Sequence, residues 1–318
     1  MQPKALLLAA ILALSPLAAS AQFDPSRPVT LVVPFASGGT DVVGRLVARK
    51  LSERIGTPVI VRNRPGAGSL LGAAEVAAAK PDGLTLLVAT NSAICVTPVL
   101  YKEATCDPVR DFIPLALVSG SPFYLIVNAN VPARSLKELL QLAKQRQLSY
   151  SSAGSGSTAH IFMELLAKEA GVKMLHVAYK GSAPALQDVL AGFVDITFTD
   201  PAMAMKSQKA LRFLGISTKS RHPTAPEVPT ISEAGVPGYD ALAWIAVVAP
   251  AKTPSDITRR LNSELNQVVG SADFGAFLET NGSVIVDIQT IEGVSAFFKS
   301  EIDKWGGVVR ALGLEKSQ

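Results

Sequence analysis

The stretch from Leu31 to Asp41 predicts a buried strand that turns at two glycines into a helix. The β-prone apolar residues of its first half form the strand, and Gly38 and Gly39 supply backbone that bends sharply with no Cβ in the way. Apolar residues then recur at helical spacing up to Arg54, with Thr40 placed as the N-cap. Free N–H groups at such a helix start attract a carboxylate or a phosphate. The stretch therefore indicates either an anion site or an ordinary strand-to-helix turn of an α/β core.

The first 21 residues have the pattern of a secretory signal peptide. Lys4 is followed by an apolar run from Ala5 to Leu14 and by Ala19-Ser20-Ala21, which forms an A-x-A cleavage site. We predict cleavage after Ala21 and export from the cytoplasm. The apolar run is too short for a comfortable membrane span, and no later run reaches about 18 apolar residues, so we expect the mature protein to be soluble.

Composition argues against a nucleic-acid partner. The formal net charge is +4 at pH 7, and basic and acidic residues are interspersed. Nucleic-acid binding favours a lysine and arginine stripe with interleaved aromatic residues, whereas only 6% of this chain is aromatic. The 318 residues are enough for two ordinary domains with hydrophobic cores.

The two cysteines, Cys95 and Cys106, lie in a chain predicted to be exported. Since thiols tend to be oxidised in export compartments, a disulfide between them is one alternative and two buried thiols are the other. The histidines are His160, His176 and His222, and none of them has ligand spacing with the cysteines. The sequence therefore predicts no metal site and no cofactor.

Predicted strands and helices alternate along the whole mature chain, which favours an α/β fold with crossover helices. A second strand, glycine turn and helix start occupies 148–158 and repeats the opening design. We predict two mostly parallel sheets flanked by helices, with a ligand cleft between two lobes. In this prediction, residues 1–21 are the signal peptide, residues 22–122 and 241–318 form lobe I, and residues 123–240 form lobe II.

Polar loops follow the predicted strands, and the ligands of open α/β sheets bind beyond the carboxyl ends of the strands. The loops carry hydroxyl groups and glycine backbone but no arginine, which suits a carboxylate. Their side-chain donors are Ser37, Thr40, Asn91, Ser155, Ser157, Thr158 and Ser182. Asp41 and Asp200 either support neighbouring structure or accept a hydrogen bond from a ligand. Lys180 either adds a positive charge at the cleft or is a solvated turn residue.

A secreted serine-type hydrolase is the alternative function. Ser155 or Ser157 would be its nucleophile and His160 its base. The G-x-S-x-G motif is absent, however, because the local string is Gly154-Ser155-Gly156. Ser157 and His160 also stand at a helix start, where an N-cap and a first-turn residue are the simpler explanation. No P-loop string occurs, so nucleotide hydrolysis is not expected.

A series of short strings follows in a fixed order along the chain. They are Val33–Asp41, Val61–Gly68, Pro81–Gly83, Asp107–Phe112, Ser152–Ser157, His160, Tyr179–Pro184, Val228–Thr230 with Glu233–Gly235, and Ala249–Pro250 with Thr253–Pro254. In this order they resemble the Bug family, the periplasmic solute-binding proteins of tripartite tricarboxylate transporters. The resemblance covers essentially all of the mature chain.

The resemblance implies a two-lobed, type II periplasmic-binding-protein fold without catalysis. It also implies a periplasmic location, and a ligand carboxylate held between the Phe35–Asp41 and Ser155–Thr158 loops. The implied partner is a membrane permease of a large and a small subunit, and we expect the protein to be a monomer. The ligand would be a di- or tricarboxylate, an acidic amino acid or an aromatic acid. The candidate ligand-binding residues are Phe35, Ser37, Gly38, Gly39, Thr40, Asp41, Asn91, Ser155, Gly156, Ser157, Thr158, His160, Tyr179, Lys180, Gly181 and Asp200.

Two features depart from the family's pattern. Cys95 and Cys106 stand where we expect Asn and a Tyr or Phe, so a disulfide between them would be a feature of this branch. Ala178 precedes Tyr179 where the family usually carries proline. That change would alter the backbone beside the predicted cleft.

Overall fold

The structure is a computed structural model that describes residues 26–36, 38–207, 210–223 and 225–317. Its strands form two five-stranded sheets, which with their helices we call lobe I and lobe II. The sheet of lobe I has the order β2-β1-β3-β10-β4 and contains β1 (Val29–Val33), β2 (Val59–Asn63), β3 (Thr85–Thr90), β4 (Phe112–Ser121) and β10 (Ala243–Pro250). The sheet of lobe II has the order β7-β6-β8-β5-β9 and contains β5 (Tyr124–Asn128), β6 (Leu148–Ser152), β7 (Met174–Ala178), β8 (Ile196–Thr199) and β9 (Leu211–Ile216). The predicted signal peptide, its cleavage site and Ser37 lie outside the described residues.

Helices connect the strands and cover the sheets. Those of lobe I are α1 (Gly39–Ile55), α2 (Leu70–Ala77), α3 (Thr97–Leu100), α4 (Pro108–Asp111), α9 (Ser255–Val269), α10 (Ala272–Thr280) and α11 (Ile291–Ala311). Those of lobe II are α5 (Leu136–Gln145), α6 (Thr158–Glu169), α7 (Ser182–Ala191) and α8 (Pro201–Lys206). In the described part of the chain, no helix has the length and apolar character that crossing a bilayer requires.

Both sheets are mostly parallel, as the sequence analysis predicts, with a single strand in each that runs against the other four. In lobe I, β1 runs parallel to β2 and β3, but β10 runs antiparallel to β3 and β4. In lobe II, β6 runs parallel to β7 and β8, but β5 runs antiparallel to β8 and β9. The strands β5 and β10 are the ones by which the chain enters lobe II and returns to lobe I. Neither follows a crossover helix within its own sheet, so the parallel pairing that such crossovers impose does not extend to them.

The strand β1 shows why its sequence is apolar throughout. Leu31 and Val33 pack with Val47 of α1 on one face of the sheet, and Val32 packs with Val76 of α2 on the other. The three strand residues have no exposed surface. A strand covered by helices on both faces cannot alternate between apolar and polar residues.

The two chain segments that connect the lobes lie side by side. One passes from β4 to β5 through Phe123, and the other reaches β10 through Ala241. Ser217 joins them, because its hydroxyl accepts from the Phe123 N–H at 2.9 Å and donates to the Ala241 carbonyl at 2.6 Å. In addition, α11 reaches from lobe I to lobe II, where the ring of Trp305 stacks on Phe162 of α6 at 5.2 Å between centroids.

Candidate ligand-binding site between the lobes

Two adjoining cavities lie between the lobes, with volumes of about 60 Å³ and about 40 Å³. Both are lined by Thr40, Thr90, Phe123, Thr158 and Ser182. The larger cavity also touches Asp200, Trp244, Phe277, Asn281 and Ser283, and the smaller one touches Phe35, Gly38 and Ser157. Among the described residues that line them there is no lysine or arginine. A ligand here would meet hydroxyls, backbone amides and aromatic rings.

The glycine turn after β1 lets lobe II come close to lobe I. Gly38 has a φ of 125°, and a Cβ at that position would lie 3.2 Å from the Ser182 side chain. A Cβ on Gly39 would lie 2.7 Å from the carboxylate of Asp200. The two glycines therefore serve the approach of the lobes as well as the local bend.

Asp200 connects the starts of two helices from opposite lobes. Its carboxylate accepts from the backbone N–H of Met203 in α8 at 3.1 Å and from that of Gly39 in α1. Burial raises the pKa of the Asp200 carboxyl, while these N–H donors act in the opposite direction. Asp200 therefore supports the structure and also presents a carboxylate to the larger cavity.

Asp41 is held within lobe I and lines neither cavity. Its carboxylate accepts from Arg45 Nε at 2.9 Å and from Asn63 Nδ2 at 2.7 Å. Asn63 also donates to the Phe35 carbonyl at 2.8 Å. Asp41 thus fastens the β1–α1 turn to β2, which is the supporting role among the alternatives that the sequence left open.

Asn91 is likewise used inside lobe I and does not line the cavities. It is 1% exposed, and its Oδ1 accepts from the Trp244 backbone N–H at 2.8 Å. Its Nδ2 donates to the Leu242 carbonyl at 3.1 Å. The structure therefore places Asn91 in the support of β10 instead of the cleft surface that the sequence analysis predicts.

Ser157 belongs to the second glycine turn and lines the smaller cavity. It occupies the N-cap position of α6 but makes no capping bond. Its side chain is buried, at 2% exposure for the residue, and its Oγ has no hydrogen-bond partner. A buried hydroxyl without a partner is costly, so a ligand acceptor at this point would satisfy it.

Ser155 and Gly156 point their backbone carbonyls at lobe I. Tyr101 donates its phenol to the Ser155 carbonyl at 2.9 Å, and Ser92 donates its hydroxyl to the Gly156 carbonyl at 2.7 Å. Ser155 lines a wider opening of about 410 Å³ beside the two cavities, together with Tyr179 and Lys180. The structure thus places Ser155 at the mouth of the cleft and Gly156 in the buried contact between the lobes.

Further predicted residues at this mouth have roles within lobe II. The Tyr179 phenol donates to the Asp188 carboxylate, and burial raises the pKa of Tyr179 to about 12. Gly181 precedes the first residue of α7 with a φ of 146°. Lys180 lies in the turn between them and lines only the wider opening.

His160 supports the loop before α6 and does not contact the Ser157 hydroxyl. Its Nδ1 accepts from the Gly156 N–H at 3.0 Å, and its ring stacks on His176 at 4.2 Å between centroids. Burial, with a smaller contribution from His176, lowers the pKa of His160 to about 3. The proposed base of a serine hydrolase therefore has no hydrogen bond to the proposed nucleophile Ser157.

The cysteines are free, so the disulfide considered between Cys95 and Cys106 is not formed, and both side chains are buried. Burial raises the pKa of both thiols. Within the described residues, no three His, Cys, Asp or Glu side chains are placed to hold a metal ion.

The sequence analysis missed the residues that close the larger cavity. Phe123 lies in the first connection between the lobes, Trp244 is the second residue of β10 just after the other connection, and Asn281 and Ser283 follow α10. They carry no shared motif. The one available indication was position, since segments that cross between two lobes must pass the cleft.

The fold and the two cavities between the lobes are those of a two-lobed solute-binding protein. A family model described as the tripartite tricarboxylate transporter family receptor matches residues 43–314. The protein BugT of Bordetella pertussis is 34% identical over 300 residues, which cover 92% of each chain. The chain therefore belongs to the tripartite tricarboxylate transporter receptor family, which includes the Bug proteins.

Solved structures agree with this assignment. The protein Rpa4515 of R. palustris with adipate has a TM-score of 0.87 at 34% identity, covering 91% of this chain and 98% of that one. The periplasmic binding protein BugD has a TM-score of 0.87 at 30% identity, covering 92% and 99%. The protein MatC of Rhodopseudomonas palustris with bound malate has a TM-score of 0.86 at 31% identity, covering 90% and 100%. The matched family is described as a transporter receptor and BugD as a periplasmic binding protein, so this chain is a binding protein and not an enzyme, which decides against the hydrolase alternative.

Proposed function

We propose that this protein captures a small carboxylate in the two cavities between its lobes and delivers it to a membrane permease. The observation that carries the proposal is the Ser157 hydroxyl, which is buried without a hydrogen-bond partner in a residue that lines the smaller cavity. Next to it, Thr158 begins α6, and the N-terminal N–H groups of a helix favour negative charge. A ligand carboxylate at this point would accept from both.

The chemistry of the walls supports a carboxylate that is recognised by neutral donors. The hydroxyls of Thr40, Thr158 and Ser182 line both cavities. The rings of Phe123 and Trp244 would cover the body of the ligand. Two structural neighbours hold adipate and malate, and both of these ligands are small dicarboxylic acids. We therefore propose a small organic acid, including di- and tricarboxylates, acidic amino acids and aromatic acids, as the ligand class.

The same proposal includes location and assembly. The protein would be exported with cleavage after Ala21, would act in the periplasm as a monomer and would dock on the large and small subunits of a tripartite tricarboxylate transporter. Its lobes would comprise residues 22–122 with 241–318, and residues 123–240. The family and the periplasmic neighbour BugD support this assignment.

A thermal-shift screen of the mature protein tests the ligand class. The probes are adipate, malate, aspartate and benzoate, each paired with the amide in which every carboxylate is replaced by a carboxamide. A ligand at a hundredfold excess over its Kd should stabilise the protein by about 2.7 kcal/mol. A shift with an acid and none with its amide is expected. Equal shifts for acid and amide, or no shift with any acid, would contradict the proposal.

Ser157→Ala then tests the site, with Ser300→Ala on the exposed face of α11 as the matched control. Loss of one hydrogen bond to a charged acceptor costs about 1.5–3 kcal/mol, so we expect affinity to fall by about 10- to 150-fold in Ser157→Ala. Calorimetry should give wild-type affinity for Ser300→Ala. Wild-type affinity in both variants would remove Ser157 from the site.

A further inference from the structure

The loop before α6 meets lobe I through contacts that lie outside the two enclosed cavities. Tyr101 and Ser92 donate across the lobe boundary to the carbonyls of Ser155 and Gly156, at 2.9 and 2.7 Å. Gly68 packs against the same loop so closely that a Cβ at its position would lie 2.1 Å from the Ser155 carbonyl oxygen. Neither Tyr101 nor Ser92 lines the cavities assigned to the ligand.

The lobe I side of this contact is a segment of unusual backbone. Gly66, Ala67, Gly68 and Ser69 have consecutive φ values of 136°, 45°, 61° and 111°. For Ala67 and Ser69 such values are strained, and strain of this kind persists where the surrounding structure enforces it. Ser92 holds the segment, since its Oγ lies 3.0 Å from Ser69 Oγ and is also bonded to the Gly68 carbonyl.

The Ser92 hydroxyl has two acceptors and a single proton. It can donate to the Gly68 carbonyl within lobe I or to the Gly156 carbonyl of lobe II. Ser69 can supply a proton to Ser92 in either case. When the lobes open, the Ser92 hydroxyl can therefore still donate to the Gly68 carbonyl of lobe I. When they close, it can donate to the Gly156 carbonyl of lobe II.

On the lobe II side, His160 fixes the direction of the peptide groups. It accepts the Gly156 N–H at 3.0 Å, so this N–H points into lobe II while the neighbouring carbonyls point toward lobe I. The Gly156 N–H and the carbonyls of Ser155 and Gly156 are thus all hydrogen-bonded within the protein. The lining of the smaller cavity includes the next residue, Ser157.

We propose that Gly68, Ser92 and Tyr101 form a closure clasp, a set of positioning residues that hold the lobes together around a ligand without touching it. The clasp rests on the proposed function in one respect, namely that the ligand is enclosed between the lobes. Because its bonds exist only when the lobes are closed, it adds to affinity by favouring the closed conformation. Its removal should mainly speed ligand dissociation.

Tyr101→Phe tests the clasp, with Tyr239→Phe as the control. Tyr239 donates its phenol to the Phe162 carbonyl at 2.8 Å, which is the same chemistry as the Tyr101 bond but within residues 123–240. Removal of a neutral hydrogen bond should weaken binding by about two- to tenfold in Tyr101→Phe, with a faster off-rate. Tyr239→Phe should lower thermal stability and leave affinity at the wild-type value. Equal affinities in wild type and Tyr101→Phe for an acid that binds would overturn the clasp.

Gly68→Ala provides a second test, with Gly56→Ala as the control. Both glycines have left-handed backbone, with φ values of 61° and 68°, but a Cβ at Gly56 would meet nothing within 4 Å. Small-angle X-ray scattering of the unliganded and acid-saturated proteins should give a larger radius of gyration for Gly68→Ala than for Gly56→Ala. Equal radii under both conditions would overturn the clasp. If no acid binds the wild type, the proposed function is contradicted. The clasp is then still tested by comparing the radii of gyration of unliganded Gly68→Ala and Gly56→Ala.

Discussion

The carboxylate of Asp200 in lobe II accepts a hydrogen bond from the backbone N–H of Gly39 in lobe I. The start of α1 is therefore already in contact with an anionic group of the protein, at the helix start that the sequence marks as an anion site. A ligand carboxylate would share the larger cavity with Asp200, and like charges in a confined space repel. Ser157 and Thr158, at the start of α6, line the smaller cavity, which Asp200 does not line, and among the described residues no carboxylate accepts a hydrogen bond from their side chains.

Asp200→Asn should change how stability depends on pH. Burial raises the pKa of the Asp200 carboxyl in the folded protein, so the unfolded chain releases this proton at lower pH than the folded chain does. The contribution of Asp200 is fully present below its unfolded pKa near 3.9 and is lost as pH rises through the folded pKa. We expect the stability of Asp200→Asn relative to wild type to improve between about pH 4 and pH 7. Guanidinium denaturation at both pH values measures this, and a constant difference would contradict it.

The stacked histidines His160 and His176 should make the protein sensitive to acid. Burial lowers the pKa of His160 to about 3 and that of His176 to about 4. Both histidines therefore bind protons more weakly when folded, and the stability they confer is complete above pH 6.5 and is lost as pH falls toward these values. Each should contribute a slope of about 1.4 kcal/mol per pH unit between about pH 4.5 and pH 6.

His160→Asn isolates one of the two slopes. The Asn Oδ1 can replace Nδ1 as the acceptor for the Gly156 N–H, but the side chain does not titrate. Urea unfolding measured at several pH values should show a reduced slope in this variant. An unchanged slope would mean that His160 is accessible to protons in the folded state.

Glu301 supports both tryptophans of the chain. Its Oε2 accepts from the indole Nε1 of Trp244 at 2.8 Å and of Trp305 at 2.9 Å. Glu301→Ala leaves both buried N–H groups without this acceptor and should destabilise the protein by about 2–4 kcal/mol. Asp303→Ala, an exposed carboxylate on the same helix, should cost less than about 0.5 kcal/mol.

The same substitution should alter tryptophan fluorescence. Both indoles share the Glu301 acceptor, and Trp244 lines the larger cavity whereas Trp305 stacks on Phe162 of lobe II. We expect the emission spectrum of folded Glu301→Ala to shift while that of Asp303→Ala matches the wild type. A wild-type spectrum and stability in Glu301→Ala would contradict this role.

The two buried thiols can be counted directly. Cys95 and Cys106 are free in the structure, and burial raises the pKa of both, so little thiolate is available at neutral pH. Ellman's reagent should react slowly with the folded protein and should detect two thiols after denaturation without reductant. Detection of none would show that the protein carries the disulfide.

Local structure was predictable because it depends on neighbouring residues. The strand before Gly38, the turn and the helix up to Ile55 follow from apolar periodicity and from the glycines. The sequence also indicated that Ser157 and Asp200 lie near the cleft, because both follow strands of one sheet. The two-lobed fold and the family followed from the ordered strings.

Contacts between distant segments were not predictable from local patterns. Asn91 follows β3, as a cleft residue would, but its amide is used by Trp244 and Leu242, which are far away in sequence. Asp41 is similarly bonded to Asn63 of β2. A polar residue after a strand can either line the ligand cleft or hydrogen-bond to a distant segment of the protein. Tertiary packing decides which of the two roles it has.

The connections between the lobes also form walls of the ligand cavity. Ser121 at the end of β4 and Phe123 of the first connection line the larger cavity, as do Ala243 and Trp244 after the second connection. A substitution that reshapes this cavity for a new ligand therefore falls on the backbone about which the lobes would rotate. One substitution can then change both the ligand that is bound and the rate at which the lobes open. In receptors with this arrangement, a change of ligand should therefore be accompanied by a change in the residence time of the ligand.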